Sequence, residues 1–326
     1  MSIDSRQADA GAAYATPAGD DALLGLLHRL RSRGYRFVTP TPTTHALAIA
    51  RPGWRTARTL RDILGWSLPF DPTLPDLAIL AALEAAAMVK PEGGLLRSRL
   101  RVSSLRGDLY LHSAYPTRAE DAVFFGPDSY RFADLVRTEL DRSRPAPGAH
   151  IVDIGTGAGV GAIVAAKACP DARVTMTDIN PKALRFARLN AAAAGVSVTA
   201  VLAGDLAGVR DPIDIALANP PYIVDPAGRE YRDGGDMHGG AVALAMARDA
   251  LARLAPGGRL ILYTGSAIID GLDRLGTALA SLADASGCVC RYHEIDPDVF
   301  GEELANPPYA DVERIAAVAA ILERTA

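Results

Sequence analysis

The segment from Ile151 to Gly161 constrains the fold more strongly than any other part of the chain. It begins with the apolar run Ile151–Ile154, continues with three alternate glycines, and leads into Val160–Ala168, which has the composition of a buried helix. Glycine permits a tight turn between strand and helix and lets the backbone approach a bound ligand closely. The segment therefore predicts a buried strand, a ligand-binding turn and a helix.

The same alternation of strand and helix continues to the C-terminal end of the sequence. Predicted strands are Ile151–Ile154, Val174–Thr177, Val198–Leu202, Ile213–Ala218, Arg259–Thr264, Cys288–Ile295 and Arg314–Leu322. Predicted helices are Val160–Ala168, Pro181–Ala194, Gly240–Leu254 and Leu272–Ala285. This order is typical of an α/β fold with a largely parallel sheet between helices, whose ligands bind beyond the carboxyl ends of the strands. Residues 120–326 are thus predicted to form a Rossmann-like domain.

Residues 21–119 show a different pattern and are predicted to form a separate, smaller domain. A leucine stripe and the segments Thr59–Leu64 and Pro75–Val89 predict helices, and Leu95–Val102 and Asp108–His112 predict a β-hairpin. Helices followed by a hairpin indicate a winged-helix-like module for substrate or partner recognition. Residues 1–20 are rich in Ala, Gly and Asp, without a basic start or an apolar stretch, so we expect a disordered tail and not a signal peptide.

The net charge of −4 conceals an asymmetry between these parts. Residues 22–119 contain fourteen Lys and Arg against six Asp and Glu, whereas the remainder contains twenty against thirty-two. A basic module attached to an acidic domain favours a polyanionic partner. A general preference for arginine explains the excess equally well, because the whole chain contains only three lysines.

The bulk composition excludes several classes of protein. Hydrophobic residues make up 49% and charged residues 22%, which is typical of a globular protein. The longest apolar run, near Leu77–Val89, is interrupted by Glu84 and is too short to span a bilayer. Three cysteines make neither a disulfide framework nor a metal site. We expect a cytoplasmic protein with no metal and no membrane contact.

Acidic residues stand at the ends of three consecutive predicted strands. Asp178 is placed to accept hydrogen bonds from both hydroxyls of a ribose, which suits NAD and S-adenosylmethionine equally. Asp153 is placed to hold a methionyl amino group and Asp205 to accept from an adenine amino group, so the set favours S-adenosyl-L-methionine. The predicted cofactor contacts are Asp153, Gly155, Thr156, Gly157, Ala158, Gly159, Asp178, Ile179, Asn180, Gly204, Asp205, Leu206 and Asn219.

The fourth predicted strand ends in Asn219-Pro220-Pro221-Tyr222. Two prolines hold a rigid loop at the carboxyl edge of the sheet, since they can neither extend a central strand nor start a helix freely. The Asn219 side-chain oxygen and the Pro220 carbonyl are suited to accept the two hydrogens of a planar –NH₂ group and to aim its lone pair at a methyl donor. Tyr222 is predicted to stack on the planar group.

With these motifs in place, residues 120–326 resemble class I S-adenosylmethionine-dependent methyltransferases of the HemK-like group. The resemblance implies a seven-stranded sheet whose last strand is antiparallel, which the pair Cys288–Ile295 and Arg314–Leu322 fits. The group includes release-factor glutamine N5-methyltransferases, and its relatives methylate exocyclic amines of adenine or guanine in RNA or DNA. Phe125–Tyr130 departs from the Pro-Arg-rich segment of the release-factor enzymes, and residues 21–119 do not match their substrate domain.

Two further segments bear on the site. Tyr231–Gly240 is rich in glycine and is predicted to act as a lid, with His238 either touching substrate or facing solvent. A second Asn-Pro-Pro-Tyr sequence, Asn306–Tyr309, follows no apolar strand. We assign it no catalytic role, although its place between the last two strands leaves a substrate contact open.

Four functions fit the sequence to different degrees. The resemblance favours methylation of a protein glutamine amide, and the basic N-terminal domain favours an adenine or guanine amine in RNA or DNA. A nicotinamide-dependent oxidoreductase shares the strand–glycine–helix start but has no use for Asn219–Tyr222. The last alternative is a binding protein without catalytic activity.

Overall fold

The computed structural model describes residues 16–204, 206–210, 212–225, 228–229 and 231–325. They form two compact units. The first comprises the chain up to Arg118 together with Ala122–Asp128 and Arg185–Val196. The second comprises Ala119–Asp121, Ser129–Leu184 and the chain from Ser197 onward.

The second unit contains the predicted sheet. Its strands are β5 (His150–Ile154), β6 (Arg173–Asp178), β7 (Thr199–Leu202), β8 (Ile213–Ala218), β9 (Leu254–Ile269), the short β10 (Leu272–Asp273), β11 (Cys288–Asp296) and β12 (Arg314–Arg324). Their order is β11-β12-β9-β8-β5-β6-β7, with β10 paired to β9. β12 is antiparallel to both of its neighbours, whereas β5, β6, β7, β8 and β9 pair in parallel. The predicted Rossmann-like sheet and its antiparallel last strand are confirmed.

Helices accompany these strands. α5 (Pro127–Arg142) precedes β5, and α6 (Val160–Ala168), α7 (Pro181–Ala194), α8 (Ala241–Arg253) and α9 (Arg274–Ala285) connect successive strands. Apolar side chains of α8 and α9 are buried with those of the central strands, as Ala247, Leu279, Leu262 and Ala218 illustrate. Burying each leucine side chain of this core contributes about 1.5–3 kcal/mol, so the core stabilises the packing of α8 and α9 on the central strands.

One strand continues past the edge at which its parallel neighbour stops. Ala218, the last residue of β8, lies opposite Leu262 of β9, yet β9 runs on to Ile269. β12 accompanies this extension, with Arg314 opposite Ile268. The extension forms a wall beyond the carboxyl edge of the sheet, where ligands of such folds bind.

The first unit is built from helices and two hairpins. Its elements are α1 (Pro17–Ser32), α2 (Pro42–Ile49), α3 (Leu60–Leu64), α4 (Leu77–Ala85), β1 (Val89–Glu92), β2 (Leu95–Ser98), β3 (Leu100–Leu105) and β4 (Asp108–Ser113). The single predicted strand over Leu95–Val102 is wrong. The Ser98 hydroxyl donates to the Leu100 carbonyl at 2.7 Å and divides the segment, so that β1 pairs with β2 and β3 with β4.

The start of α1 corrects the predicted extent of the tail. Thr16 caps this helix by accepting from the Gly19 backbone N–H at 3.0 Å, and Pro17 occupies the first turn, where its missing N–H costs nothing. Residues 17–20 are therefore helical, and residues 1–15 lie outside the described residues. Phe125 is a core residue of the first unit, 1% exposed and stacked on His112.

Among the described residues, none of the helices combines the length and the apolar character that crossing a membrane requires. The described part of the chain also holds no group of three or more His, Cys, Asp or Glu side chains arranged around a metal position.

Candidate active site

The glycine turn joins β5 to α6 at the carboxyl edge of the sheet. Its three predicted glycines have positive φ angles, 64° at Gly155, 55° at Gly157 and 86° at Gly159, which residues with side chains rarely adopt. Apart from the chain neighbours, no described heavy atom lies within 4 Å of the place that a Cβ on Gly157 would take. The turn thus exposes its backbone to open space, as close approach of a ligand requires.

Asp153 lies beneath this turn and braces it. Its side chain is buried, and Oδ2 accepts from the Thr156 hydroxyl at 2.5 Å and from the Ala162 backbone N–H at 2.8 Å. Burial raises the pKa of Asp153 to about 6, against the lowering effect of these two hydrogen bonds. Asp153 therefore shapes the turn directly, and its contact with a methionyl amino group stays a prediction.

Gly161 is a residue whose role the sequence did not reveal. A Cβ at this position would lie 2.6 Å from Oδ1 of Asp153, far inside van der Waals contact. A glycine inside the first turn of an apolar helix was the available signal, because glycine there costs helix stability unless packing requires it.

Asp178 links the glycine turn to the end of β6. Its Oδ2 accepts from the Gly157 backbone N–H and its Oδ1 from the Asn180 backbone N–H, both at 2.9 Å. Each carboxylate oxygen has a second lone pair, so these bonds leave the group able to accept from ribose hydroxyls. Asp178 and Gly157, predicted to serve one ligand, are therefore in direct contact.

The neighbours of Asp178 divide into exposed and internal residues. Ile179 is 46% exposed, and a Cβ on Gly204 would lie 2.5 Å from its Cγ2, so the two residues form an apolar surface suited to a nucleobase. Leu206 is instead a core residue, 3% exposed, whose side chain is not available to a ligand. Asp205, predicted to contact adenine, lies outside the described residues.

Asn180 has a structural task at the start of α7. Its Oδ1 accepts from the Lys182 backbone N–H at 2.9 Å, and its Nδ2 donates to the Asp121 carbonyl at 2.9 Å. Side-chain acceptors at this position stabilise helix starts. The backbone N–H of Asn180 is bonded to Asp178, so the cofactor contact of Asn180 stays a prediction.

The register of the sheet brings Asn219 to the glycine turn. Ile154 of β5 pairs with Ala218 of β8 on one side and with Thr177 of β6 on the other. Asn219, Gly155 and Asp178 each follow one of these aligned residues. Since neighbouring strands are about 4.8 Å apart, the three predicted site residues stand side by side at one edge.

Within the motif, Asn219 is half-buried, Pro220 is buried and Tyr222 is 6% exposed. The Tyr222 ring packs on Gly265, where a Cβ would lie 2.1 Å from Cδ2, and meets Phe300 edge-on at a centroid distance of 5.7 Å. The predicted stacking of Tyr222 on the acceptor does not agree with this burial. The ring anchors the motif to β9 instead.

The predicted lid, Tyr231–Gly240, packs on the segment that follows the motif. The Gly234 backbone N–H donates to the Ile223 carbonyl at 2.8 Å, and a Cβ on Gly239 would lie 2.2 Å from the Tyr222 carbonyl oxygen. His238 faces Asp311, with Nε2 and Oδ1 3.0 Å apart. The glycines of this loop therefore permit close backbone packing against the motif.

The second motif, Asn306–Tyr309, also lies beside the first. Tyr309 is 1% exposed, and its hydroxyl accepts from the Val224 backbone N–H at 2.8 Å. Asn306 Nδ2 donates to Glu303 Oε2 at 2.9 Å, and Glu303 pairs with Arg232. In the described residues, the second motif contacts the loop that follows the first motif, and its contact with substrate stays a prediction.

A salt bridge stabilises the same region. The Asp225 carboxylate is almost fully buried and accepts from both Nε and Nη2 of Arg229 at 2.6 Å. Hydrogen bonds from this guanidinium lower the pKa of Asp225 to about 2. Sequence patterns did not identify Arg229, Arg232 or Glu303, because such pairs depend on tertiary contacts.

A cavity of about 200 Å³ opens between the predicted lid and the extension of β9. Its lining includes Met237 and His238 from the predicted lid, Gly265 and Ser266 from β9, and Arg274 from the first turn of α9. Gly265 is also the residue on which the Tyr222 ring packs. The cavity and the motif therefore share a wall.

The open backbone at Gly157, the Asp178 carboxylate and the exposed Ile179 fit an adenosyl ligand. Together with the strand order and the antiparallel β12, they define a class I methyltransferase whose methyl donor is S-adenosyl-L-methionine. The profile of the family described as "Methyltransferase small domain" matches residues 133–268.

Comparison with known proteins narrows the assignment. The chain is 37% identical over 180 residues to the release factor glutamine methyltransferase of Deinococcus radiodurans, covering 52% of this chain and 61% of that one. It is 31% identical over 248 residues to the release factor glutamine methyltransferase of Cereibacter sphaeroides, covering 71% of this chain and 84% of that one. The chain therefore belongs to the HemK-like family of class I methyltransferases. It spans less than two thirds of the length of several curated relatives that it matches.

Among solved structures, the chain resembles the 16S rRNA N2 G1207 methyltransferase of T. Thermophilus, solved with AdoMet and guanosine. The TM-score is 0.46 at 16% identity, covering 79% of this chain and 64% of that one.

Proposed function

We propose that this chain transfers the methyl group of S-adenosyl-L-methionine to the side-chain amide nitrogen of a glutamine in a protein. The observation that carries the proposal is the position of Asn219, half-buried at the end of β8 and beside the glycine turn. The relatives named release factor glutamine methyltransferase support the same acceptor, and a release factor is the first protein to test.

The chemistry requires orientation more than activation. An amide nitrogen is a poor nucleophile because its lone pair is delocalised, whereas the sulfonium of the cofactor supplies an already activated methyl group. In the proposed complex, Asn219 Oδ1 and the Pro220 carbonyl oxygen accept hydrogen bonds from the two N–H groups of the glutamine amide. These two oxygens turn the lone pair of the amide nitrogen toward the methyl carbon and stabilise the positive charge that develops on the nitrogen.

Burial of the motif supports an orienting role for Asn219 and Pro220. Pro220 is buried and Tyr222 is anchored on Gly265, so the Asn219 backbone has little freedom. Two hydrogen-bond acceptors that are already in place do not need to reorient during the reaction. Such pre-organisation accounts for much of the rate enhancement in sites of this kind.

One observation favours a second acceptor class, the exocyclic amine of a nucleic-acid base. Residues 22–119 are basic, and Arg51, Arg55, Arg58 and Arg61 are all exposed. Exposed arginines suit the phosphate backbone of RNA. An adenine or guanine amine is also planar and would use the same two acceptors. We propose that the basic N-terminal region engages the macromolecular substrate in either case.

We propose the cytoplasm as the site of the reaction, on the basis of the low cysteine content. The family assignment argues against the nicotinamide-dependent alternative, and a binding protein without activity has no need of an Asn219 held at the edge of the sheet.

Labelled methyl transfer separates the two acceptor classes. The protein is incubated with a cell extract and S-adenosyl-L-methionine labelled in its methyl group, and the labelled fraction is then digested with protease or with nuclease. Protease-sensitive label is expected. Nuclease-sensitive label would move the proposal to the base amine, and steep loss of RNA binding with salt would accompany it.

A further inference from the structure

We propose that Tyr309, in the second Asn-Pro-Pro-Tyr sequence, is a positioning residue for methyl transfer. Its hydroxyl fixes the backbone that follows Asn219–Tyr222. The inference rests on the proposed function in one respect, since it takes the first motif to be the reacting one.

Three consecutive backbone N–H groups after the first motif have partners. Ile223 donates to the Arg232 carbonyl at 3.3 Å, Val224 to the Tyr309 hydroxyl at 2.8 Å, and Asp225 to Asp233 Oδ1 at 3.3 Å. The bond to Tyr309 is the shortest of the three. Because the Tyr309 ring is 1% exposed, packing holds its hydroxyl in place.

Asn306 reaches the same loop by a separate route. Its Nδ2 donates to Glu303, whose carboxylate pairs with Arg232, and the Arg232 carbonyl accepts from Ile223. Both polar residues of the second motif thus act on the residues directly after the first. Two independent routes to one short segment indicate a support for that segment.

Phe300 adds a side-chain contact with Tyr222 of the first motif. Its ring meets the Tyr222 ring edge-on at 75°, and its own backbone lies in the left-handed region at φ 54°. A phenylalanine is costly in that conformation, which persists only where packing demands it. The Tyr222 ring is therefore in contact both with Phe300 and with Gly265 of β9.

These contacts from the second motif and Phe300 keep Asn219 in place. Displacing a catalytic group by about 1 Å can cost on the order of 10²-fold in rate. Removing the Tyr309 hydroxyl leaves the Val224 N–H without its partner and keeps the volume of the ring. We expect kcat to fall by roughly tenfold, with the cofactor Kd unchanged, because the Tyr309 hydroxyl bonds to the loop after β8, whereas the glycine turn follows β5.

The test compares Tyr309→Phe with Tyr35→Phe. Tyr35 also loses a hydroxyl bond to the backbone, which it donates to the Val102 carbonyl at 3.0 Å within the first unit. For both variants kcat, acceptor KM, cofactor Kd by calorimetry and amide hydrogen exchange over residues 223–225 are measured. Tyr309→Phe is expected to lower kcat and to speed exchange at Val224 about fivefold, with Tyr35→Phe at wild-type values in both.

Wild-type kcat in Tyr309→Phe, unchanged exchange at Val224, or an equal loss of cofactor affinity would each overturn the proposal. Should the wild-type protein leave glutamine unmethylated, the proposed function fails by itself. In that case, hydrogen exchange at Val224 and the total label transferred to the extract still test the role of Tyr309.

If Tyr309→Phe does not fold, Glu303→Gln provides a second variant. It removes the ion pair to Arg232 and keeps the shape of the side chain, and we expect a smaller loss that is confined to kcat.

Discussion

The two Asn-Pro-Pro-Tyr sequences of this chain share four residues, a half-buried asparagine and a buried tyrosine, but they differ in the elements that surround them. Asn219 follows a buried parallel strand and is half-buried at its end, with Pro220 buried behind it. Asn306 precedes a short 3₁₀ helix, Pro307–Tyr309, both of whose prolines are exposed, and its amide bonds to Glu303. We propose that the preceding strand, and not the motif itself, decides which copy serves the reaction, because only β8 brings its motif beside the glycine turn.

The same substitution in both copies should give the largest separation. Asn219→Ala removes an acceptor for the reacting nitrogen and is expected to lower kcat by about 10²–10³-fold with cofactor binding largely kept. Asn306→Ala removes only a bond to Glu303, so we expect a loss below about tenfold. Single-turnover methyl transfer and calorimetry measure both. Comparable losses in the two variants would mean that both copies touch substrate.

A glycine lies near each of the two motifs, and replacing it by alanine tests how much each motif depends on close packing. Gly265→Ala places a Cβ on the Tyr222 ring, whereas Gly301→Ala meets no closer atom than Asp298 Oδ1 at 3.9 Å. Overpacking of this kind costs about 1–3 kcal/mol. Gly265→Ala is therefore expected to lower the melting temperature and to reduce kcat roughly tenfold or more, with Gly301→Ala near wild type. A harmless Gly265→Ala would show that Tyr222 need not be anchored.

Neither Asn-Pro-Pro-Tyr sequence should influence the pH dependence of cofactor affinity, because the titrating group, Asp153, lies beneath the glycine turn. With the pKa of Asp153 raised to about 6, its carboxylate is ionised at pH 7 and becomes neutral as the pH falls through 6. Affinity for the cationic cofactor is expected to fall by up to about tenfold per pH unit below 6. Calorimetry from pH 5 to 8 checks this. Asp153→Asn should flatten the profile, and Asn219→Ala should leave its shape unchanged; a flat wild-type profile contradicts the assigned contact.

Much of the sheet could be predicted from the sequence because its strands are buried on both faces. Such strands appear as continuous apolar runs, and the predicted Ile213–Ala218 coincides with β8. The glycine turn was predictable for a local reason, since positive φ at Gly155, Gly157 and Gly159 requires glycine. In the first unit, the division of Leu95–Val102 into two strands was missed because the apolar pattern does not show the two hydrogen bonds between the Ser98 side chain and the Leu100 backbone.

The candidate site was less predictable where long-range contacts decide. Tyr222 was expected to face the acceptor, but Gly265, far along the chain, receives its ring. Nothing local to Asn306–Tyr309 indicates that its tyrosine bonds to Val224, 85 residues away. The repetition of the motif was a sequence signal, but it did not show that the second copy contacts the loop after the first.

The central claim is that Asn219 orients a planar amide nitrogen, and the chemical position of the transferred methyl group tests it most directly. Acid hydrolysis of the labelled protein fraction should release labelled methylamine, since only methylation on the amide nitrogen of glutamine or asparagine yields it. Label retained on a carbon, oxygen or sulfur atom of the acceptor would contradict the account.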